Sequence, residues 1–490
     1  MKTQNLYGAK KLLILLLLST VGIAGCKKFL DINENPNNPD TATPSLLLPT
    51  VEAAIGQLVG NRFQIYGNIW AQYWTQNTTS SQYRSLEQYS VTNTAFDTDW
   101  LITYRNALQN AQLIINHSQP NSEHLKGMAN ILKAYTYQLA TDAWGDIPLS
   151  EAVKGSQFAS PRYEAQQVVY DSIFNYIDLG LALFNAENAT AAGEQDLLFQ
   201  GDIDQWRAFA NTLKLRAYLR LSQVDPAKAQ AGIAALYASN PTFLTTDARI
   251  AYTTTGGNDN PLYSEMVGLG YTQNLVASGT AVRQFNRNND PRVMQVYVPV
   301  ETNGALEDTI AYIPQGSYRE NSGKRVSPPS ALVAGNAANP SSAVAPVKLI
   351  STAESFFLQA EAGARGWSGG AADVTNLFNQ GITASFAAYG IPEQAAAYIS
   401  TAPDAQLTAG ANNIRLIMTQ KYYAMCGFQG FEAWTEWRRT GYPEFFVQSA
   451  ASTLGAGRLP LRFLYPNTEI TTNLNFPGSI PIYEPVWWDK

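Results

Sequence analysis

Apolar residues recur at steps of three and four along much of the chain. The clearest series are Trp100, Tyr104, Leu108, Ala111, Ile115; Met128, Leu132, Tyr135, Leu139; and Trp206, Phe209, Leu213, Ala217, Leu221. A period near 3.6 predicts amphipathic helices that each bury one stripe. Similar patterns predict helices over 354–365, 373–386 and 413–439, the last broken near Gly427 or Gly430. From about Thr242 to Pro346 the texture changes to Gly, Asn, Pro, Ser and Tyr, with β-prone pieces such as Val293 to Val300. Long loops, short strands and little helix are expected there, and the tail from Leu459 to Lys490 also reads as irregular.

Helices with one apolar stripe must stack on neighbours. The fold class expected is therefore mainly α: a tetratricopeptide-like scaffold of stacked helix pairs with long loop excursions and a few short strands, although no clean repeat of about 34 residues is visible. Loops held by such a frame are the expected carriers of function.

The first residues have a different character. Lys2, Lys10 and Lys11 precede the apolar run Leu12 to Leu18, which is too short to span a bilayer and reads as a secretory signal over residues 1–25. Ile23-Ala24-Gly25-Cys26 then matches the box at which bacterial lipoproteins are cleaved and acylated, so Cys26 is the expected lipidation site and mature N-terminus. Several acyl chains at about 0.8 kcal/mol per buried methylene would anchor the protein to a membrane. Residues 26–44, rich in Asn, Asp and Pro, read as a spacer, and residues 45–490 as one helical body.

Composition narrows the function. Cys426 is the only other cysteine, so no disulfide framework is available. A net charge of -6 with scattered Lys and Arg argues against nucleic acid as a partner. Aromatic residues make up 11%, with 26 Tyr and 10 Trp, beside only 15% charged residues, which suits uncharged polar ligands.

Catalytic readings are weak. Gly366-Trp367-Ser368-Gly369-Gly370 fits a nucleophile-elbow pattern, but a helix rather than a strand precedes it, so a glycine-rich helix stop is the better reading. His117 and His124 lack zinc-site spacing and read as surface residues at a helix end. Acidic pairs such as Asp97 with Asp99 or Glu432 with Glu436 are too common to define a glycosidase, and Asp99 reads as a helix N-cap.

Binding without catalysis needs aromatic faces beside amides, hydroxyls and Arg. The segment Trp70 to Arg84 supplies them; Trp70, Tyr73 and Trp74 sit at helical spacing, so half of its aromatics are expected in the core, and Trp74, Gln76, Tyr83 and Arg84 are the candidates for a ligand. A second candidate is the loop carrying Asn258, Asp259, Tyr263 and Tyr271, with Asn274 beyond it. Asp259 with Asn258 and Asn260 offers oxygens to calcium but lacks the spacing of a calcium loop, so no cofactor is expected and an ordinary turn is the reading.

Four separated blocks carry a resemblance to a known family. They are Cys26 to Asp31; Ala134-Tyr135 through Asp142-Ala143-Trp144-Gly145-Asp146-Ile147-Pro148-Leu149; Glu354 to Ala362; and Trp434-Thr435-Glu436-Trp437-Arg438-Arg439-Thr440-Gly441-Tyr442-Pro443 with Arg458 to Pro466. In these the chain resembles the SusD/RagB family of outer-membrane nutrient-binding lipoproteins. The resemblance implies a tetratricopeptide-like body, an oligosaccharide ligand, and a SusC-like TonB-dependent transporter as partner. It also implies a position on the extracellular side of the outer membrane; peptide capture of the RagB type and, further off, a surface glycan hydrolase are the alternatives. The blocks themselves read as architectural, with Trp144, Gly145 and Pro148 ending a helix and Trp434, Trp437, Arg438 and Arg439 seating one.

Overall fold

A computed structural model describes residues 43–370, 373–408 and 412–490. The signal segment, Cys26 and nearly all of the spacer lie outside the described residues. The body runs from Pro44 to Lys490.

Its frame is helical: α1 (Pro44–Gly60), α2 (Arg62–Trp70), and α3, which passes from Asp97–Leu101 through a π-helical stretch Ile102–Leu108 into Gln109–Asn116. There follow α4 (Glu123–Trp144), α5 (Gln166–Leu183), α6 (Ile203–Arg220) and α7 (Pro226–Ala238). Beyond the excursion come α10 (Thr352–Ala364), α11 (Val374–Ala388), α12 (Ala395–Thr401), α13 (Asn412–Met425) and α14 (Gly430–Thr440), while the excursion itself holds α8 (Pro261–Gly268) and α9 (Gly279–Arg287). Helix starts follow capping chemistry: Asp202, Ser351 and Asp373 accept backbone N–H bonds at the openings of α6, α10 and α11.

Stacking is sequential and then closes. α4 packs along α5, α5 on α6, α6 on α7 and α10, α10 on α11 and α13, and α13 on α14. α14 returns to α2, which with α1 leads back to α4. The α2–α14 crossing is tight enough that a Cβ on Gly67 would lie 2.0 Å from the Phe431 nitrogen, and one on Gly430 2.4 Å from the Asn68 nitrogen. Two antiparallel ladders pin the excursion to the frame: β1 (Trp74–Gln76) with β3 (Leu275–Ala277), and β2 (Ala248–Ile250) with β4 (Val347–Ile350).

The family blocks converge in the core. α4 ends at Trp144, and Gly145 takes φ +85° as the terminating residue. The Trp144 indole donates to Leu464 O at 3.0 Å, and Phe463 packs among Phe63, Trp70, Phe96, Trp144 and Trp434. Arg220 of α6 meets Asp142 of α4 at 3.2 Å and Glu432 of α14 at 2.5 Å, and bonds Glu436 as well. Arg439 grips Glu361 through two bonds of 2.7 Å and reaches Glu436 at 2.5 Å. Lys421 of α13 sits 3.3 Å from Glu436, and Arg216 lies 3.5 Å from Glu354. All of these groups are buried.

Two local expectations are corrected. Asp99 is not an N-cap: it lies inside the first segment of α3, buried and 4.0 Å from Arg62. Burial pushes its carboxyl up to about 8, with Arg62 opposing. Val293 to Val300 is not a strand, because Val293–Val296 forms a helical turn after the Asp290-Pro291-Arg292 corner and only Tyr297 makes a β-bridge, to Pro329.

Candidate functional site

The two aromatic and amide-rich segments singled out from sequence, about 190 residues apart, come together through ladder hydrogen bonding. In that ladder Trp74 faces Ala277 and Gln76 faces Leu275. Beyond it Asn77 N–H donates to Asn274 O and its side-chain amide to Gln273 O, both at 2.7 Å. On the other flank the Tyr83 hydroxyl donates to Glu265 of α8 at 2.8 Å.

Burial divides the expected residues. Trp74 and Gln76 have no exposed surface and form the floor, not the ligand-facing wall. Pairing β1 with β3 buries both faces of the strand, which local periodicity does not reveal. Gln76 shapes the loop above it, accepting from Tyr83 N–H at 2.6 Å and donating to Ser80 Oγ at 2.7 Å. Tyr83 is also nearly buried; burial and then Glu265 push its phenol well above the ordinary range. Beneath lies Glu87, bonded to Gln76 N–H, Gln315 and Ser449, with burial raising its carboxyl.

Two of the expected residues reach the surface of this face. Tyr271 is 58% exposed and sits at φ +59°, a left-handed backbone uncommon outside glycine. Arg84, half-buried, places its guanidinium 5.2 Å over the Tyr318 ring. Sequence reasoning missed the segment that completes the face: Tyr318 supports Arg84, Lys324 O accepts from Thr78 at 3.1 Å, and Arg319 and Lys324 are exposed. Its Gly, Ser and Asn content marked it only as a loop.

The remaining expected residues have other surroundings. Asn258 is exposed in a turn, its carbonyl accepting from Thr253 N–H at 3.0 Å, and Asp259 is half-buried beside it. Asn260 caps α8, its side-chain Oδ1 accepting from Leu262 N–H at 2.9 Å, and Tyr263 is buried in that helix. Among the described residues no cluster of His, Cys, Asp or Glu is arranged to hold a metal ion. The acidic pairs weighed for glycoside hydrolysis are committed elsewhere: Glu432 and Glu436 to Arg220, Asp97 to Thr468, and Asp99 to the interior near Arg62. Ser368 is buried in the turn after α10, with no strand before it. No helix among the described residues is long and apolar enough to cross a membrane.

A closed helical frame that holds an irregular, polar and aromatic face defines a scaffold for surface recognition. The chain belongs to the SusD-like family, described as starch-binding and associating with the outer membrane, which matches residues 36–466. A search of curated proteins finds no match. Among solved structures, a chitin-binding protein is 24% identical with a TM-score of 0.76, over 91% of this chain and all (100%) of its own. A chitin-binding SusD homologue from Flavobacterium johnsoniae is 23% identical with a TM-score of 0.72, over 91% and 97%. A SusD/RagB family protein from Bacteroides thetaiotaomicron is 22% identical with a TM-score of 0.77, over 91% and 99%. At these identities the likeness is one of fold.

Proposed function

We propose that this protein captures oligosaccharides at the outer membrane, does not cleave them, and passes them to a SusC-like TonB-dependent transporter. The observation that carries the reading is the loop face built on the β1–β3 ladder and the Tyr83–Glu265 bond, which presents the exposed Tyr271 ring and, on its other segment, the half-buried Arg84 guanidinium over Tyr318. Rings of this kind cover sugar C–H faces, while amides and Arg take hydroxyls. The family description and the two chitin-binding structures support a neutral glycan as ligand. In the same reading acylation of Cys26 holds the body to the membrane, on its extracellular side.

The test is calorimetric titration of the purified full-length protein with malto- and chito-oligosaccharides and with peptides, with product analysis of the same mixtures. Binding of one glycan class without products is the expected result. Released products would demand a hydrolase, and binding of peptides alone would place the protein with peptide capture. The anchor has its own readout: Cys26→Ala is expected to release the protein from membranes and abolish acyl labelling, and unchanged membrane association would overturn it.

A further inference from the structure

A second groove lies among the helices, built from none of the residues of the loop face. A cleft of about 740 Å³ opens between α3, α4, α5 and residues 149–157. Gln109 and residues 152–155 also line a neighbouring hollow of about 290 Å³, whose other walls include Trp100, Tyr104 and Phe158.

Lys133 is the unusual group. It is 5% exposed, on α4, with its ammonium 4.4 Å above the Tyr176 ring and bonded to Gln112 Oε1 at 2.5 Å. Among the described residues no carboxylate lies within ion-pair distance of Lys133, while Lys154, the second cation of the cleft, feels Glu151 at longer range. Glu151 at the rim is held by Arg162 at 2.6 Å, and Glu164 accepts from Ser150 N–H at 2.8 Å. A desolvated ammonium answered only by an amide and aromatic faces lacks its counter-charge. Burial, and then repulsion from Lys154, lowers its pKa to about 8. The shared wall includes Val153 at φ +52°, a conformation that strains a β-branched residue.

We propose that this groove is a second binding site, for an acidic oligosaccharide. Lys133 and Lys154 take the carboxylate or sulfate, and the half-buried Tyr104 and Phe158 of the adjoining hollow meet a neighbouring sugar ring. Gln109, Asn116, Asn130 and Gln157 line the walls and supply donors and acceptors for hydroxyls. A charge-assisted bond contributes about 1.5–3 kcal/mol, so losing one weakens binding about tenfold or more. The site does not depend on the loop face being the neutral-glycan site.

The test titrates the full-length protein with an oligogalacturonate, its fully methyl-esterified form of equal length, a sulfated oligosaccharide and an acidic peptide. The wild type is expected to bind an acidic sugar at least about tenfold more tightly than the ester. Binding is expected to fall about tenfold in Lys133→Met and about threefold or more in the exposed Lys154→Ala, and to be unchanged in Tyr271→Ala. The uronate and sulfate arms separate the two acid sources. Equal affinity for acid and ester, no binding of either acidic sugar, an undiminished Lys154→Ala, or binding of the peptide alone would overturn the proposal. Loss in Tyr271→Ala but not Lys154→Ala would place any acidic sugar on the loop face.

Discussion

Arg439→Met is the sharpest probe of what holds the frame together. The guanidinium bonds both oxygens of Glu361 at 2.7 Å, reaches Glu436 at 2.5 Å and Ser222 at 3.0 Å, and has no exposed surface. Methionine preserves much of the volume but leaves the Glu361 and Glu436 carboxylates short of a buried partner. Removing one member of a buried pair costs about 3–5 kcal/mol, because the remaining charge stays desolvated. Unfolding the roughly 450 residues of the body carries an entropy on the order of 0.9 kcal/mol/K, so Tm should fall by about 3–5 °C. Lys228→Met, which breaks the exposed pair with Asp171, is the control and should move Tm by less than about 1 °C. Burial would raise the Glu361 and Glu436 carboxyls; Arg439 leads the cations that instead hold both below the ordinary 4.5, with Arg365 beside Glu361 and Lys421 and Arg220 beside Glu436. Depressed carboxylates contribute their stability above the unfolded pKa and lose it as pH falls through the folded one. The gap between wild type and Arg439→Met, measured by thermal melts monitored by circular dichroism, should therefore be full at pH 7 and shrink as pH drops below about 4.5. A drop no larger than the control's at pH 7, or a gap that widens in acid, would refute the reasoning.

Asp99 should show the opposite pH behaviour. With its folded pKa raised to about 8 from an ordinary 3.8, its favourable contribution is complete below 3.8 and is lost as pH rises through 8, so Asp99→Asn should gain stability relative to wild type between pH 4 and pH 8 in urea melts. Gly67→Ala drives a methyl into the Phe431 backbone across the α2–α14 crossing and should lower Tm far more than Gly268→Ala, where a Cβ meets nothing within 4 Å. The Cys426 thiol is buried and pushed well above its ordinary pKa by burial, so it should resist thiol reagents in the native protein and react only on unfolding. Tyr271→Ala should weaken binding of the neutral glycan while leaving Tm within about 1 °C, since the ring is largely exposed.

The helices were legible because their stripes are local. The Trp100, Met128 and Trp206 series lie on α3, α4 and α6, and the break before Gly430 separates α13 from α14. What local pattern does not carry is partnership across long sequence separations. Trp74 continues the aromatic run that begins at Trp70, and only its pairing with Ala277 makes it part of the floor, leaving Tyr271 and Arg84 as the surface. Arg220 and Glu436 likewise read as ordinary polar residues of amphipathic helices until α6 and α14 are brought together. A signal was nevertheless present: from Met128 to Trp144 the only charged residues are Lys133 and Asp142. A charge inside so apolar a helix is retained only where something answers it. Arg220 and the Trp488 indole answer Asp142, at 3.2 Å and 2.8 Å, whereas Lys133 turns toward an open cleft with an amide and two tyrosine rings around it. The same helix thus holds one charge that is architecture and one whose counter-charge comes from the ligand.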